Sequence, residues 1–267
     1  MRLRLSLALL FAVTHAGWCA PSRGAGPLAA PDVSAGYAIY AHGLHVADMQ
    51  AGYSLDPIGY RVQIAYHTTG LAGVLWGGHQ LSIAEGSWNL SAALPRRFEG
   101  EGVWRGDQRS TVIAYEQGQP SVQVLIPPAD AERDPVPEAL QANTIDTLSA
   151  LAQLLRQVET TGRCESRART FDGRRLAEVS ARTAGEETLT ATARSPFAGP
   201  ALRCDFEGRQ LAGFLRGEDQ EALRRVQHGS AWLAPVAPGG PKVPVRISFE
   251  TRWFGTTTMY WTGRPTE

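Results

Sequence analysis

The 267 residues carry 26 basic and 26 acidic side chains, and 43% of them are hydrophobic. So even a balance excludes the basic footprint of a nucleic-acid binder, and the length allows one large all-β domain or two smaller ones with ample core. Arginine does nearly all the basic work, Lys242 being the only lysine, and removal of Arg2 and Arg4 with a leader would leave the chain two charges negative.

Residues 1–20 have the three parts of a secretory signal peptide: Arg2 and Arg4, the apolar run Leu5 to Val13, then small residues around Ala16 and Ala20. Cleavage is expected after Ala16 or later, with Pro21 disfavouring Ala20. Cys19 invites lipidation, but Trp18 stands where that processing wants a small residue. The run is too short to span a bilayer, and no other stretch qualifies as a membrane helix. Residues 21–35, rich in Pro, Gly, Ala and Ser, read as a flexible leader, and 36–267 as a single β-rich domain.

Strands come first. Tyr37, Ile39 and Ala41 alternate with Ala38, Tyr40 and His42, and the phase shifts after Gly43 as a bulge would shift it. In 60–67, Tyr60, Val62, Ile64 and Tyr66 share one face. Gly77-Gly78 separates Leu71 to Trp76 from His79 to Glu85, a hairpin pattern with Leu81 and Ile83 facing in. Further strands follow at 97–105, 111–116 and 121–126. The inward face Phe98, Gly100, Gly102, Trp104 suits a bent strand or a bulky group lying over it, so curvature is expected rather than a flat sandwich. Residues 127–137 read as an acidic, proline-containing loop.

One helix stands out at about 147–160, capped by Asp146, ended by Gly162, with Leu148, Leu151, Leu154, Leu155 and Val158 as its apolar stripe. A hairpin follows. If Asp172-Gly173 is a two-residue turn, Phe171 faces Arg174, Arg167 faces Glu178, and Cys164 lies on the core face. After a turn near Gly185, residues 188–193 read as another strand. Leu202, Cys204 and Phe206 share an apolar face. Residues 218–227 read as a short helix or turn, 236–244 as a connector, and 243–249 and 257–261 as closing strands. With Cys19 lost, Cys164 and Cys204 form an isolated pair, read as one structural disulfide in an oxidising compartment.

The order Ile145-Asp146-Thr147-Leu148-Ser149-Ala150-Leu151, Cys164, Phe171-Asp172-Gly173-Arg174-Arg175, Cys204 and Ala212-Gly213-Phe214 resembles the exported bacterial family called domain of unknown function 3108. Thr147 departs from that family's proline after the aspartate, which touches helix capping alone. The resemblance implies a periplasmic protein of a Gram-negative envelope, mainly β, with a curved antiparallel sheet forming a half-barrel, barrel or β-spiral around one docked helix. It also implies a shape related to the LolA and LolB lipoprotein carriers, which is a likeness of fold and not of function.

No catalytic signature emerges. A Gly-x-Ser-x-Gly elbow and a Gly-x-x-x-x-Gly-Lys loop are both missing from the sequence, so no nucleophile and no cofactor is expected. His42 and His45 could share a metal only if Gly43 makes a bulge, and no metal is expected there. Glu99 and Glu101 read as a solvated strand face. Tyr66, Trp76, Phe98 and Trp104 are the candidate ligand-binding residues, able to line a concavity for a lipid or amphipathic small molecule. Arg174 and Arg175, at the hairpin tip with Arg167 and Arg169, could bind an anion, guard a strand edge, or meet a partner. The expected function is therefore non-catalytic: an exported envelope protein that holds an apolar or amphipathic ligand in a concave sheet and supports envelope integrity. The alternative is a scaffold that presents 164–182 and 127–137 to another envelope protein, and a hydrolase stands third.

Overall fold

A computed structural model describes residues 31–251 and 255–263. The stretch read as a signal peptide and most of that read as a leader lie outside the described residues, as does Trp253. Within them, the alternating patterns become β1 (Val33–Ala41), β2 (Leu44–Leu55), β3 (Gly59–Thr68), β4 (Gly78–Asn89), β5 (Ala92–Trp104), β6 (Asp107–Glu116) and β7 (Gln119–Ile126). The second half supplies β8 (Ser166–Phe171), β9 (Leu176–Leu189), β10 (Gly199–Ala212), β11 (Gln227–Pro235), β12 (Lys242–Thr251) and β13 (Gly255–Trp261). β1 thus begins inside the stretch read as leader.

All these strands join one antiparallel sheet in the order β7-β6-β5-β4-β3-β2-β1-β13-β12-β11-β10-β9-β8. Each half is a meander, and only the β1–β13 pairing is distant in sequence, with Ile39 opposite Met259. The tight turns explain the meander. His42-Gly43, Arg105-Gly106 and Gln117-Gly118 have positive φ at both central residues, the geometry whose twist matches flanking strands. His42-Gly43 is accordingly a hairpin turn between two strands rather than a bulge within one; the register shift falls earlier, between Ile39 and Tyr40.

The sheet is not closed by strand pairing, and its free edges are β7 and β8. The edge of β8 is covered by the chain that precedes the long helix: Ile145 N–H donates to Arg169 O at 3.0 Å, and Phe171 N–H donates to Ile145 O at 2.9 Å. Two residues earlier, Asn143 N–H donates to Gly118 O in the β6–β7 turn at 2.9 Å. This short segment ties the turn beside one edge to the strand at the other, leaving fewer backbone groups open to a foreign strand.

Among the described residues four α-helices decorate the sheet: α1 (Gly70–Trp76), α2 (Glu138–Gln141), α3 (Thr147–Thr161) and α4 (Gln220–Leu223). α3 is the expected helix. Asp146 caps it by accepting from Ser149 N–H at 2.8 Å, and Gly162 ends it in the left-handed region. It buries Leu148, Leu155 and Val158 against the inner face of the sheet, together with Ala152 and Ser149. Leu151 and Leu154 are half-buried and pack beside this core.

Three expectations need correction. Residues 71–76 form α1, not a strand; Leu71, Val74 and Leu75 stand exposed on a single turn-rich connection between β3 and β4. On β4 the inward residues are Ser82 and Ala84, while Leu81 is 39% exposed, so Leu81 and Ile83 face out. Small side chains are needed there because Ala84 pairs with the bulky Phe98 on the same face. Gly185 is no turn: β9 continues through it, and the register shift opposite Arg203 and Cys204 absorbs Ala184 as a bulge.

The Cys164–Cys204 disulfide is formed, with Cα atoms 5.7 Å apart and both residues fully buried. The hairpin it supports has a wider loop than two residues. Phe171 pairs with Leu176, and Arg169 with Glu178, because Asp172 Oδ1 accepts from the N–H groups of Arg174 (2.9 Å) and Arg175 (2.7 Å). The slip is two residues, so every side chain keeps its expected face. Arg167 still reaches Glu178 diagonally, its Nε donating at 3.0 Å.

Candidate ligand-binding sites on the inner face

Two concavities open on the face that carries α3. The first is a cleft of about 530 Å³. Its floor is a row of cross-strand neighbours, Tyr66 opposite Gln80, Gln80 opposite Gly102, and Gly102 opposite Arg109. Gly100 contributes no side chain, and Phe98 and Trp104 line the cleft from the same strand. The expected ligand residues Tyr66, Phe98 and Trp104 do come together here, although Phe98 is only 9% exposed and belongs mainly to the core. Of Trp76, the backbone alone is described, at the end of α1.

The opposite wall is the β8–β9 loop. Arg174 turns inward, donating to Thr111 Oγ1 at 2.9 Å and to the Pro127 carbonyl at 2.6 Å, so the hairpin tip docks on β6 and β7, the far edge of its own sheet. Arg175 remains 54% exposed at the side chain and pairs with Asp172 at 2.6 Å. Arg109 and Arg133 complete the basic lining. Arg109 pairs with Glu132 at 3.0 Å, and Arg133 donates to the Gly213 carbonyl at 3.0 Å.

Burial alone would raise the Asp172 carboxyl. Arg175 beside it and the two loop N–H donors outweigh that and hold it below the usual aspartate range. Burial depresses Arg133 and Arg174, the cost of keeping guanidinium groups away from water.

The second concavity is an apolar groove of about 420 Å³ between α3 and the second half of the sheet. Leu151 and Leu154 form its helical wall. Val179, Phe206, Leu233 and Ile247 face them, and Glu207, His228 and Glu250 stand among its polar lining. Sequence reading placed the helical leucines in the core stripe and so missed the groove. The signal was the width of that stripe: Leu148, Leu151, Leu154 and Leu155 cover more of the helix than one packed seam requires.

Near the groove, Tyr60, Ser149 and Asp146 form a buried chain of hydrogen bonds at the start of α3. A third concavity, beside Trp232, has its polar groups matched to one another: Asp205 accepts from Arg203 at 2.9 Å and from Ser230 at 2.7 Å. Among the described residues no three His, Cys, Asp or Glu side chains cluster as metal ligands. His45 instead bonds Asp48 at 2.8 Å. None of the described helices is long and apolar enough to cross a membrane.

No curated protein sequence matches this chain. Among solved structures, it is similar to a β-barrel-like protein of domain of unknown function DUF1849 from Brucella abortus, with 8% identity, a TM-score of 0.49, and coverage of 86% of this chain and 94% of that one. The model of the family described as protein of unknown function (DUF3108) matches residues 36–262, and the chain belongs to that family.

Proposed function

We propose that this protein is exported to the periplasm and there holds an apolar or amphipathic small molecule, such as one bearing an acyl chain, in the groove beneath α3, in support of envelope integrity. The observation that carries this reading is the groove itself. Its apolar walls enclose about 420 Å³, within the range of small-molecule cavities, and Leu151 and Leu154 face it instead of closing it. The buried disulfide favours an oxidising compartment.

Native mass spectrometry of protein purified from its own periplasm should reveal a bound apolar mass, and a fluorescent fatty acid should bind and be displaced by that extract. Leu151→Glu should weaken the probe at least ~10-fold, because a carboxylate in an apolar groove is strongly disfavoured. Equal binding by the folded variant would overturn the reading, and a full-length N-terminus on protein confined to the cytoplasm would overturn export.

One observation favours the scaffold alternative: the two segments it needs are adjacent, Arg174 of the hairpin bonding Pro127 of the loop. In that reading Arg175→Glu abolishes capture of an envelope partner while the domain stays folded; capture that persists in the variant removes its support.

A further inference from the structure

The aromatic and arginine cleft is separate from the α3 groove and has its own chemistry. Four arginines line it, Arg109, Arg133, Arg174 and Arg175, against the two carboxylates Glu132 and Asp172. The carboxylates are each engaged by one arginine, Glu132 by Arg109 and Asp172 by Arg175. The hydrogen bonds of Arg133 and Arg174 go to neutral acceptors, the Gly213 carbonyl, Thr111 Oγ1 and the Pro127 carbonyl. An excess of two positive charges therefore sits in a concave, partly desolvated space, where a field is focused rather than dispersed.

Arg175, half-exposed, keeps the basic wall open to solvent. Opposite this wall the floor lacks a side chain at Gly100, where an added Cβ would touch Gln80 and Phe98 at 3.5 Å, and Tyr66 and Trp104 also line the space. Guanidinium groups beside an aromatic surface suit a ligand with a charged end and a flat or apolar body.

We propose that this cleft binds an oxyanion carried on an aromatic or apolar body, the anionic group lying against Arg109, Arg174 and Arg175 and the body over Gly100 between Tyr66 and Trp104. The oxyanion could belong to a soluble molecule or to a lipid head group, and the two are separable by experiment.

Phenyl phosphate, titrated calorimetrically into the full protein at low salt, is the probe. It should bind, compete with inorganic phosphate, and weaken at least ~10-fold at about 0.5 M salt. Arg109→Gln and Trp104→Ala should each weaken it at least ~10-fold, one removing charge and the other the stacking surface. Leu151→Glu should leave it unchanged, so failure here is distinguishable from failure of the α3 groove. Sedimentation with phosphatidylglycerol vesicles, compared with phosphatidylcholine, then identifies the source. Co-sedimentation lost in Arg109→Gln assigns a lipid head group, and phenyl phosphate binding without co-sedimentation assigns a soluble ligand. Absence of binding by the folded wild-type protein, or undiminished binding by folded Arg109→Gln and Trp104→Ala, would overturn the proposal.

Discussion

Tyr60 on β3 donates a 2.7 Å hydrogen bond to Ser149 on α3, 89 residues further along the chain, and Ser149 Oγ in turn donates to Asp146 Oδ2 at 2.5 Å. All three residues are buried. The helix is therefore fixed to the sheet at its capped end by a polar chain, not only by its apolar stripe. The same cap that starts the helix also sets its position, which determines where Leu151 and Leu154 stand.

This chain makes stability depend on pH. Burial pushes the Asp146 carboxyl up to about 6, the bonds from Ser149 offsetting part of that rise. In the unfolded chain it titrates near 3.8. Between those values the folded state holds a proton that the unfolded state has lost, so stability contributed by Asp146 falls as pH rises through this window and is level above it. The total is about 3 kcal/mol. Asp146→Asn keeps an acceptor for the helix cap and removes the titration. Urea denaturation of both proteins at about pH 4 and pH 7 should show the variant gaining on the wild type as pH rises. A constant difference across that range would refute the assignment.

The disulfide should matter more for the unfolded chain than for any local contact. Its cysteines are 40 residues apart, and closing such a loop stabilises by about 4 kcal/mol in the chain-entropy picture. Cys164→Ala with Cys204→Ala should lose about 2–5 kcal/mol in urea melts, while reductant shifts the wild type and not the variant. A loss under about 1 kcal/mol would mean that the reduced chain is already constrained by other means.

The docking of the hairpin tip on the far edge is tested by Arg174→Ala. It removes the bonds to Thr111 and the Pro127 carbonyl and should cost about 1.5–3 kcal/mol, as expected for hydrogen bonds to a charged donor. Amide exchange should accelerate at 171–176 and in β7 before it does in β3 or β4. Uniform acceleration across the sheet would instead show that the tip is not a separable contact.

Much of this was legible in the residues because side-chain period survives errors of register. The hairpin turn was read as Asp172-Gly173 alone, yet Cys164 kept its face, since Asp172 bonding two successive N–H groups widens the loop by an even number. What escaped was what local pattern does not encode. Leu81 and Ile83 look inward by hydrophobicity, but Phe98 on the neighbouring strand already fills that layer, and only Ser82 and Ala84 fit beside it. Gly185 reads as a turn in isolation, but β10 continues opposite it, Gly185 pairs with Arg203, and Ala184 is absorbed as a bulge. The cleft shows the same limit. Tyr66, Phe98 and Trp104 carry a visible alternation and Arg174 and Arg175 a visible turn, but nothing between residues 66 and 175 announces that the sheet curls far enough to set one group against the other.

Gly213 is where that curl is most exposed to test. It lies just after β10 with φ +77°, and a Cβ built on it would stand 1.9 Å from Arg174 O and 2.8 Å from Arg175 Cα. Its carbonyl accepts from Arg133 at 3.0 Å and from Gln210 at 2.8 Å. One residue thus carries the back of the hairpin tip, the 127–137 loop and the end of β10 together. Gly213→Ala should cost the strain of a left-handed alanine, about 1–2 kcal/mol, plus displacement of the tip, for a total of at least about 3 kcal/mol. Gly217→Ala is the control, because its φ is +75° but nothing lies within 4 Å of the added Cβ, so only the strain remains. Thermal melts should separate the two variants, and the cleft's affinity for phenyl phosphate should drop in Gly213→Ala and hold in Gly217→Ala. Equal behaviour of the two would mean that the tip yields freely, and that the wall it forms is not fixed by Gly213.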